Sequence, residues 1–388
     1  MATDGQFKIH IDGVEQIGAH NEHDKAAYRG TQLAQERANA TNKPVKMEIF
    51  YPFRDHLIFN PLPLIQDSEP PTTTPDPPTP DPIPGPIPPP SQYRGIPDPS
   101  VVLGFDVFAD YPVQETLRGD LGEYVIQGVG TAANPYFVDI SEAFFTRLSI
   151  VGSYIILVGG TVNAPAHPKW SFSSSQCDHW VTRDLELIGS GTDQRHGTAT
   201  GLGNGGVWIR GKIHDFGDRD PQARENDFHG IKTRGTDIWV LDAEIYHMGG
   251  DSVQVGDATR GAGSNIYIGG GFFHDNKENA VDIKDSANIV VSGVRMDGFK
   301  EGVASRGEAI VVHDDAYDAR IYDNIITNSR KGIVSSGYQG HIIDNNSIDA
   351  TQYDIELRNT RNIKVLNNTN PNGPLKINRQ SGVTGEIQ

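Results

Sequence analysis

The sequence predicts an all-β protein whose main domain is a right-handed parallel β-helix, and recurring short strands carry this prediction. A first series of strands starts at apolar residues that are 22, 28, 29, 23 and 22 residues apart: Ile231, Val253, Val281, Ile310, Ile333 and Ile355. A second series is interleaved with the first and starts at Ile238, Ile266, Ile289, Ile321, Ile342 and Ile363. Two interleaved series with one common period are typical of a solenoid with one coil per repeat.

A third, shorter strand follows the second in each repeat. Its copies are Glu244–Tyr246, Gly271–Phe273, Val294–Met296 and Asn324–Ile326. The sequence therefore predicts coils of three strands and about 22 residues. The hairpins of an antiparallel sandwich would not require the same three-strand cycle to recur in register.

The first series also predicts which side chains face outward, because successive residues of a strand point to opposite faces. The apolar starting residues and the residues two positions later should point into the core. The residues between and after them should point outward: Lys232, Arg234, Gln254, Gly256, Asp282, Lys284, Val311 and His313. A charged outer face on stacked strands is what a binding groove needs.

Composition limits what such a groove can bind. The 388 residues include 43 Gly and 25 Pro, which favours a fold with many tight turns. A formal net charge of −17 argues against nonspecific nucleic-acid binding and for a solvated, extracellular surface. An acidic protein that acts on an acidic polymer would need local positive charge or a bridging cation. No apolar run approaches a membrane span, and Met1 to Gly18 shows no secretory signal.

Changes in composition divide the chain into three parts. Residues 1–60 are predicted to form a small α+β module, with a strand at 7–12, a helix at 22–39 and strands at 45–51 and 56–59, to which we assign attachment or adaptor work. Residues 61–99 are rich in Pro and are predicted to form a semi-rigid spacer, although a Pro-rich ligand for a peptide-binding domain is the alternative. Residues 100–388 form the β-helix domain.

Insertions in a solenoid leave the coil as loops that gather on one side. Here they lie at 201–206, 217–226, 257–263 and 300–307, beside the first strand series. The sequence therefore predicts a cleft between about His229 and Arg358.

The stretch Lys-Glu-Asn-Ala-Val-Asp-Ile-Lys at 277–284, followed by Asn-Ile-Val-Val-Ser-Gly at 288–293 and then Arg306, resembles β-helical polysaccharide lyases, especially the alginate-lyase-like and pectate-lyase-like groups. The general repeat pattern also resembles surface β-helix proteins and phage tailspike depolymerases. The resemblance implies an extracellular or virion-associated enzyme that cleaves an acidic, uronate-containing polysaccharide by β-elimination. It implies a monomer or, for a tailspike, a homotrimer.

The same resemblance implies the roles of the site residues. Asp251, Glu278 and Asp282 are predicted to hold Ca²⁺, since carboxylate oxygens are ligands that this ion prefers. Lys284, His313 and Arg306 are the predicted catalytic residues, with Lys284 as the base and His313 as a second candidate base or acid. The predicted substrate-binding residues are His229, Lys232, Arg234, Gln254 and Arg358.

Several alternatives stay open at this stage. Asp282 and Lys284 also fit a simple charge pair, and Asp251 and Glu278 also fit turn caps or surface charges. The third-strand histidines His214, His247 and His274 fit stacked polar side chains better than metal ligands, and Trp208 and Trp239 fit packing better than sugar stacking. A glycoside hydrolase would use Asp251 with Asp282 or Glu308 as its carboxylate pair. A noncatalytic glycan-binding or virion attachment protein is the third class.

Overall fold

The computed structural model describes residues 92–388, except 165–169, 192–196, 219, 221–227, 258–260 and 304, and the backbone of four strands before residue 59. The chain forms two compact units, Met1–Ile87 and Pro88–Gln388. In the first unit, β1 (Phe7–Ile11), β2 (Val14–His20), β3 (Met47–Phe50) and β4 (Leu57–Ile58) form an antiparallel sheet in the order β2-β1-β3-β4.

Strands β1, β3 and β4 coincide with the three strands predicted in the N-terminal module. The predicted helix at 22–39 and residues 61–91 of the predicted spacer lie outside the described residues. The domain boundaries at residues 60 and 99 therefore stay predictions.

The second unit is a right-handed parallel β-helix, which confirms the predicted fold class. It begins with the helix α1 (Pro99–Leu103), where the Asp98 side chain accepts a hydrogen bond from the Ser100 amide and caps the helix. The early coils use long strands that turn corners without a break: β5 (Val113–Val129), β6 (Tyr136–Val158) and β8 (Phe172–Arg183).

Three strand series follow, and each strand pairs in parallel with its counterparts on the coils before and after. The first series contains β10 (Gly197–Leu202), β13 (Phe228–Thr233), β16 (Val253–Val255), β19 (Val281–Lys284), β22 (Glu308–His313) and β28 (Ile377–Arg379). The second contains β11 (Gly206–Ile209), β14 (Thr236–Leu241), β17 (Ser264–Gly269), β20 (Ala287–Ser292), β23 (Tyr317–Tyr322), β25 (Ile342–Asp344), β27 (Ile363–Leu366) and β29 (Gly385–Ile387).

The third series contains β7 (Thr161–Asn163), β9 (Glu186–Ile188), β12 (Lys212–His214), β15 (Glu244–Tyr246), β18 (Phe272–His274) and β21 (Arg295–Asp297). In β24 (Ile325–Ser335) and β26 (Ser347–Leu357), the third strand of one coil runs on into the first strand of the next.

The register confirms the predicted alignment of the first series. Ile231, Val253, Val281, Ile310, Ile333 and Ile355 pair in succession, and each is 0 % exposed. The residues two positions later also point inward. The alternation of side chains along each strand is therefore enough to fill the core with apolar side chains, each of which stabilises the fold by about 1.5–3 kcal/mol when fully buried.

The predicted alignment of the second series is wrong in two coils, those of Ile321 and Ile342. Ile289 pairs with Ala319 and not with Ile321, while Ile342 pairs with the outward residue Arg320. Ile363 is back in the register of Ile289, because Ile342 pairs with Lys364 and not with Ile363. The small buried Ala319 occupies the inward position, and a search for large apolar residues passes over it. The third-series strands are where the sequence predicts them, but β18, β21 and β24 begin one residue later.

Short turns between the second and third strands explain the recurring Asn and Asp residues. Asp242, Asp323, Asn345 and Asn367 have φ between 52° and 59°, in the left-handed region that Asn and Asp tolerate better than other side chains. Next to this turn, Asn324, Asn346 and Asn368 stack inside the coil. The Asn324 amide donates to Asn346 Oδ1 and the Asn346 amide donates to Asn368 Oδ1, both at 2.9 Å. This ladder satisfies polar groups that the turns would otherwise bury unpaired.

A strap that precedes and includes α1 lies along the second strand series. Tyr93 donates to Asp242, the Arg94 guanidinium contacts Asp344 at 2.5 Å, and the Trp239 indole donates to the Pro97 carbonyl at 2.9 Å. The strap thus covers part of the outer face of the second series. No helix in the described part of the chain has the length and apolar character that a membrane-spanning helix needs.

Candidate functional site

The outward side chains of the first series form columns across the coils, as the sequence predicts. Parallel pairing puts one column in register: Lys232, Gln254, Asp282, Val311, Val334, Glu356 and Asn378. Lys284 and His313 pair in a second column two residues further along the strands. Arg358 continues this second column, because the preceding residue Leu357 pairs with Ser335.

Asp282 holds the two predicted bases together. Its Oδ1 lies 2.7 Å from His313 Nε2, and its Oδ2 lies 2.9 Å from Lys284 Nζ. Gln254 Nε2 donates to the same Oδ2 at 3.4 Å. The Asp282 side chain is 6 % exposed, whereas the side chains of Lys284 and His313 are 25 % and 29 % exposed. A buried carboxylate therefore holds Lys284 and His313, both of which are partly exposed to solvent.

Burial and charge pairing shift the pKa values of this cluster in opposite directions, and the effect of charge pairing is the larger. Burial lowers the pKa of His313, but the hydrogen bond and charge of Asp282 raise it further, so that the net pKa lies above its ordinary value. Burial likewise lowers the pKa of Lys284, but Asp282, Asp251 and Glu278 raise it overall. Burial raises the pKa of Asp282, while His313 and Lys284 bring it below its ordinary value. Lys284 and His313 thus favour the ionised form of Asp282.

A second cluster lies at the start of the same strands. His229, Asp251 and Glu278 each place one potential ligand atom within 4.8 Å of the others, and all three residues are buried. His229 Nδ1 lies 3.1 Å from Asp251 Oδ2. The structure thus brings together two of the three residues predicted to bind metal, and it adds His229, which was predicted to bind substrate.

The donor atoms do not match the predicted calcium site. Both oxygens of Asp282 are engaged by His313 and Lys284, so this residue is not free to bind a metal together with Asp251 and Glu278. Its place in the cluster is taken by an imidazole nitrogen, whereas Ca²⁺ takes 6–8 oxygen ligands.

A groove with a volume of about 570 Å³ opens on the first strand series beyond the Asp282 cluster. Four cationic side chains line it, together with Glu301 and Glu356, in a chain whose net formal charge is −17. The cationic residues are Arg306, Arg330, Lys331 and Arg358. Local positive charge is what an acidic protein needs in order to bind an acidic polymer.

Glu356 organises the floor of this groove. Its Oε2 lies 2.8 Å from Lys331 Nζ and 2.7 Å from the Arg358 guanidinium, and its Oε1 accepts hydrogen bonds from the Asn378 and Gln380 amides. Burial raises the pKa of Glu356, but Arg358 and Lys331 bring it down to about 2. The Arg358 Nε atom is buried and has no hydrogen-bond partner among the described residues.

The other predicted residues lie at different points of the same face. Lys232 pairs with Asp257 at 3.2 Å, and Arg234 is exposed just beyond β13. Arg306 precedes β22 whereas His313 ends it, which separates the two along the strand by about 20 Å. The structure therefore brings Lys284 and His313 together and places Arg306 in the groove with the other arginines.

Sequence reasoning missed Arg330, Lys331 and Glu356 as groove residues. The signal was present, because Lys331 and Glu356 belong to the fifth and sixth copies of the first strand.

The interpretation of the tryptophans agrees with the structure, and the predicted stacking of histidines holds for His214 and His274 but not for His247, which lies edge-on to Tyr246 and contacts Asp215 at 3.0 Å. His214, Tyr246 and His274 stack as parallel rings, with centroids 4.8 Å and 4.9 Å apart. Trp208 and Trp239 are 0 % exposed, so neither offers a face to a sugar.

Fold and site together define a right-handed parallel β-helix with a charged groove on one strand face. The family model described as "Right handed beta helix region" matches residues 219–370, which contain the Asp282 cluster and most of the groove. No curated protein shows a significant sequence match to the chain.

Solved structures that are similar to this chain include enzymes and an adhesin. The A-module of a mannuronan C-5 epimerase from Azotobacter vinelandii is 13% identical, with 69% of this chain and 91% of that chain covered and a TM-score of 0.41. An alginate lyase from Paenibacillus sp. is 14% identical, with 68% and 91% covered and a TM-score of 0.41. A surface protein and adhesin of Streptococcus pneumoniae is 10% identical, with 71% and 91% covered and a TM-score of 0.46. Likenesses at this level concern the fold and leave the activity of this chain open.

Proposed function

We propose that this protein cleaves an acidic, uronate-containing polysaccharide by β-elimination, outside the cell or on a virion. The observation that carries the proposal is the contact of Asp282 with both Lys284 and His313, beside a groove lined by four cationic side chains. The groove supplies positive charge for the substrate carboxylates, and the Asp282 cluster supplies a group that can accept a proton.

The groove is placed to bind the same polymer that contacts the Asp282 cluster. Arg358 lies in the column of Lys284 and His313, two coils beyond His313. Adjacent coils are about 4.8 Å apart, so Arg358 and His313 are separated by about 10 Å along the helix axis. A guanidinium binds a carboxylate through two parallel hydrogen bonds. Arg306, Arg330 and Arg358 would thus hold carboxylates of sugars beyond the cleaved bond, and this assigns Arg306 to substrate binding.

The order of the two pKa values assigns the chemical roles. The ordinary value of His313 is 6.5 and that of Lys284 is 10.5, and both are raised, so His313 loses its proton first as the pH rises. Asp282 accepts a hydrogen bond from His313 Nε2, which leaves Nδ1 as the basic nitrogen. Asp314, which lies 3.1 Å from Nδ1 and is 40 % exposed, would have to move aside. Lys284 stays cationic next to it.

In the elimination itself, His313 Nδ1 takes the proton from the carbon next to the sugar carboxylate. The Lys284 ammonium stabilises the negative charge that develops on that carboxylate. The electron pair of the broken C–H bond forms a C=C bond as the C–O bond to the leaving sugar breaks. The leaving oxygen takes a proton from solvent or from the Lys284 ammonium and departs as a hydroxyl group.

The carboxylates favour this chemistry over hydrolysis. Asp251, Asp282 and Glu308, which a glycoside hydrolase would use, are buried, with 1 %, 4 % and 6 % exposure. Asp282 is also engaged by Lys284 and His313, whereas an inverting or retaining pair needs two carboxyl groups facing the bond.

The proposal is tested by incubating the full chain with polymannuronate, polyguluronate and polygalacturonate, with a neutral glucan as control. Elimination creates a C=C bond conjugated to a carboxylate, and the expected result is a rise in near-ultraviolet absorbance with one uronate polymer and none with the glucan. New reducing ends without that absorbance would identify a hydrolase. Binding without cleavage of any uronate polymer would identify a glycan-binding protein.

A further inference from the structure

The buried cluster of His229, Asp251 and Glu278 lies beside the proposed catalytic pair, close enough to raise the pKa of Lys284, but shares no residue with it. Each residue comes from a different coil, at or just before β13, β16 and β19. Their exposed fractions are 5 %, 1 % and 7 %. A His and two carboxylates at this depth are ligands of the kind that hold a metal ion.

One atom in the cluster lacks the partner that burial demands. Asp251 Oδ1 accepts hydrogen bonds from the backbone and side-chain amides of Asn279 at 3.0 Å and 2.8 Å. These bonds fix the carboxylate and direct Oδ2 toward His229. Among the described residues, Asp251 Oδ2 is buried and has no hydrogen-bond partner. Buried polar atoms are nearly always satisfied, so this oxygen indicates a missing ligand.

The nearest atom to that oxygen does not satisfy it in the geometry observed. His229 Nδ1 lies 3.1 Å from Asp251 Oδ2, but the same nitrogen accepts a hydrogen bond from the Asp251 backbone amide at 3.2 Å. A nitrogen that accepts has no proton to donate. Two acceptors therefore face each other, and a bound cation would remove the conflict.

The donor set also selects the kind of cation. We propose that His229, Asp251 and Glu278 bind a first-row divalent ion of the zinc type, rather than calcium. Imidazole nitrogen is a ligand of zinc and its neighbours in the first transition series, and three protein ligands with one open position are a common zinc arrangement. Calcium takes 6–8 oxygens, and this cluster offers carboxylates from only two residues.

The proposal is tested on the full chain, without a polyhistidine tag, after removal of metals with a chelator. Calorimetric titration with Zn²⁺ is expected to show one tight equivalent, and Co²⁺ is expected to give the visible absorption of a low-coordinate site. A large excess of Ca²⁺ should not displace either ion. Substrate is absent from these measurements, so their failure is distinguishable from failure of the proposed lyase activity.

Three variants of the proposed ligands and one control variant test which residues bind the ion. Asp251→Asn and His229→Gln preserve size and are each expected to weaken Zn²⁺ binding by at least about 100-fold, since even partners outside the metal ligands account for about 10–100-fold. Glu278→Gln provides a further ligand variant if one of these does not fold by circular dichroism. His214→Gln is the matched control, because His214 also contacts two carboxylates but belongs to the third strand series.

Unchanged Zn²⁺ affinity in folded Asp251→Asn and Glu278→Gln would overturn the proposal. So would the absence of a tight equivalent in the parent chain. Displacement of Zn²⁺ by equimolar Ca²⁺ would also overturn it, in favour of the calcium site that the sequence predicts.

Discussion

Asp282 and His313 lie on adjacent coils and are joined by a hydrogen bond of 2.7 Å between Oδ1 and Nε2. They are 31 residues apart in the sequence, and only the stacking of β19 on β22 brings them together. The bond fixes which imidazole nitrogen is basic and keeps the carboxylate ionised.

Asp282→Asn is expected to lower kcat on the uronate substrate by at least about 100-fold, because the variant loses both the orientation and the charge that support His313. The pKa of His313 should fall in the same variant, and nuclear magnetic resonance of the imidazole protons measures this directly. Asp318→Asn is a matched control, since Asp318 pairs with Arg320 on the second strand series. An unchanged pKa of His313 in Asp282→Asn would contradict the geometry.

The same pair predicts a pH window for stability. The pKa of His313 is raised from 6.5 in the folded state. The stability that His313 contributes to the fold is therefore complete below about pH 6.5 and is lost as the pH rises through the folded-state pKa. The pKa of Asp282 is lowered from 3.8 in the folded state. The stability that Asp282 contributes to the fold is therefore present above about pH 3.8 and is lost as the pH falls through the folded-state pKa. Urea unfolding should show the largest free-energy difference between parent and His313→Gln near pH 5, and a smaller one at pH 9. An equal difference at both pH values would exclude this linkage.

Glu356→Gln is expected to destabilise the fold by about 2–4 kcal/mol, because it leaves the buried Lys331 and its neighbour Arg358 without their shared carboxylate. The folded-state pKa of Glu356 is about 2, so its stabilisation is present above its ordinary value of 4.5 and is lost as the pH falls toward 2. Denaturant titration at neutral pH measures the loss. Glu386→Gln, at an exposed C-terminal position, should change stability by less than about 0.5 kcal/mol.

Arg306→Gln tests the groove as a binding site for carboxylates. It should raise KM on the uronate polymer several-fold, leave kcat near the parent value and reduce the salt dependence of KM, because one exposed charge contact is removed. Initial rates at low and high salt separate these effects. Arg361→Gln removes an exposed arginine outside the groove and should have none of them. A fall in kcat alone would assign Arg306 to the chemical step that the sequence resemblance implies.

Asn346→Ala is expected to cost about 2–3 kcal/mol, because Asn346 is 1 % exposed and its loss leaves groups of Asn324 and Asn368 unpaired in the ladder. Thermal or urea unfolding measures the change. Asn345→Gly is the neighbouring control, since φ at this exposed residue is 59° and glycine adopts that value without strain. Similar losses in both variants would show that the turn, and not the ladder, is responsible.

The amino-acid sequence by itself determined the coil. Alternation of Ile231, Lys232 and Thr233, repeated from Val253 and Val281, is a local pattern, and a period of two residues is enough to decide which side chains face the core. It also placed Asp282, Lys284 and His313 on one face, because that alignment needs only the repeat.

Contacts between coils were decided by the tertiary structure alone. The sequence assigned Asp282 to calcium, but the structure places it between Lys284 and His313 and leaves His229 with Asp251 and Glu278. Arg330 and Glu356 lie in one groove although 26 residues separate them in the chain. Such pairings depend on loop lengths and on register across whole coils. A local pattern of apolar and polar residues specifies which way each side chain points, but not which partner it meets.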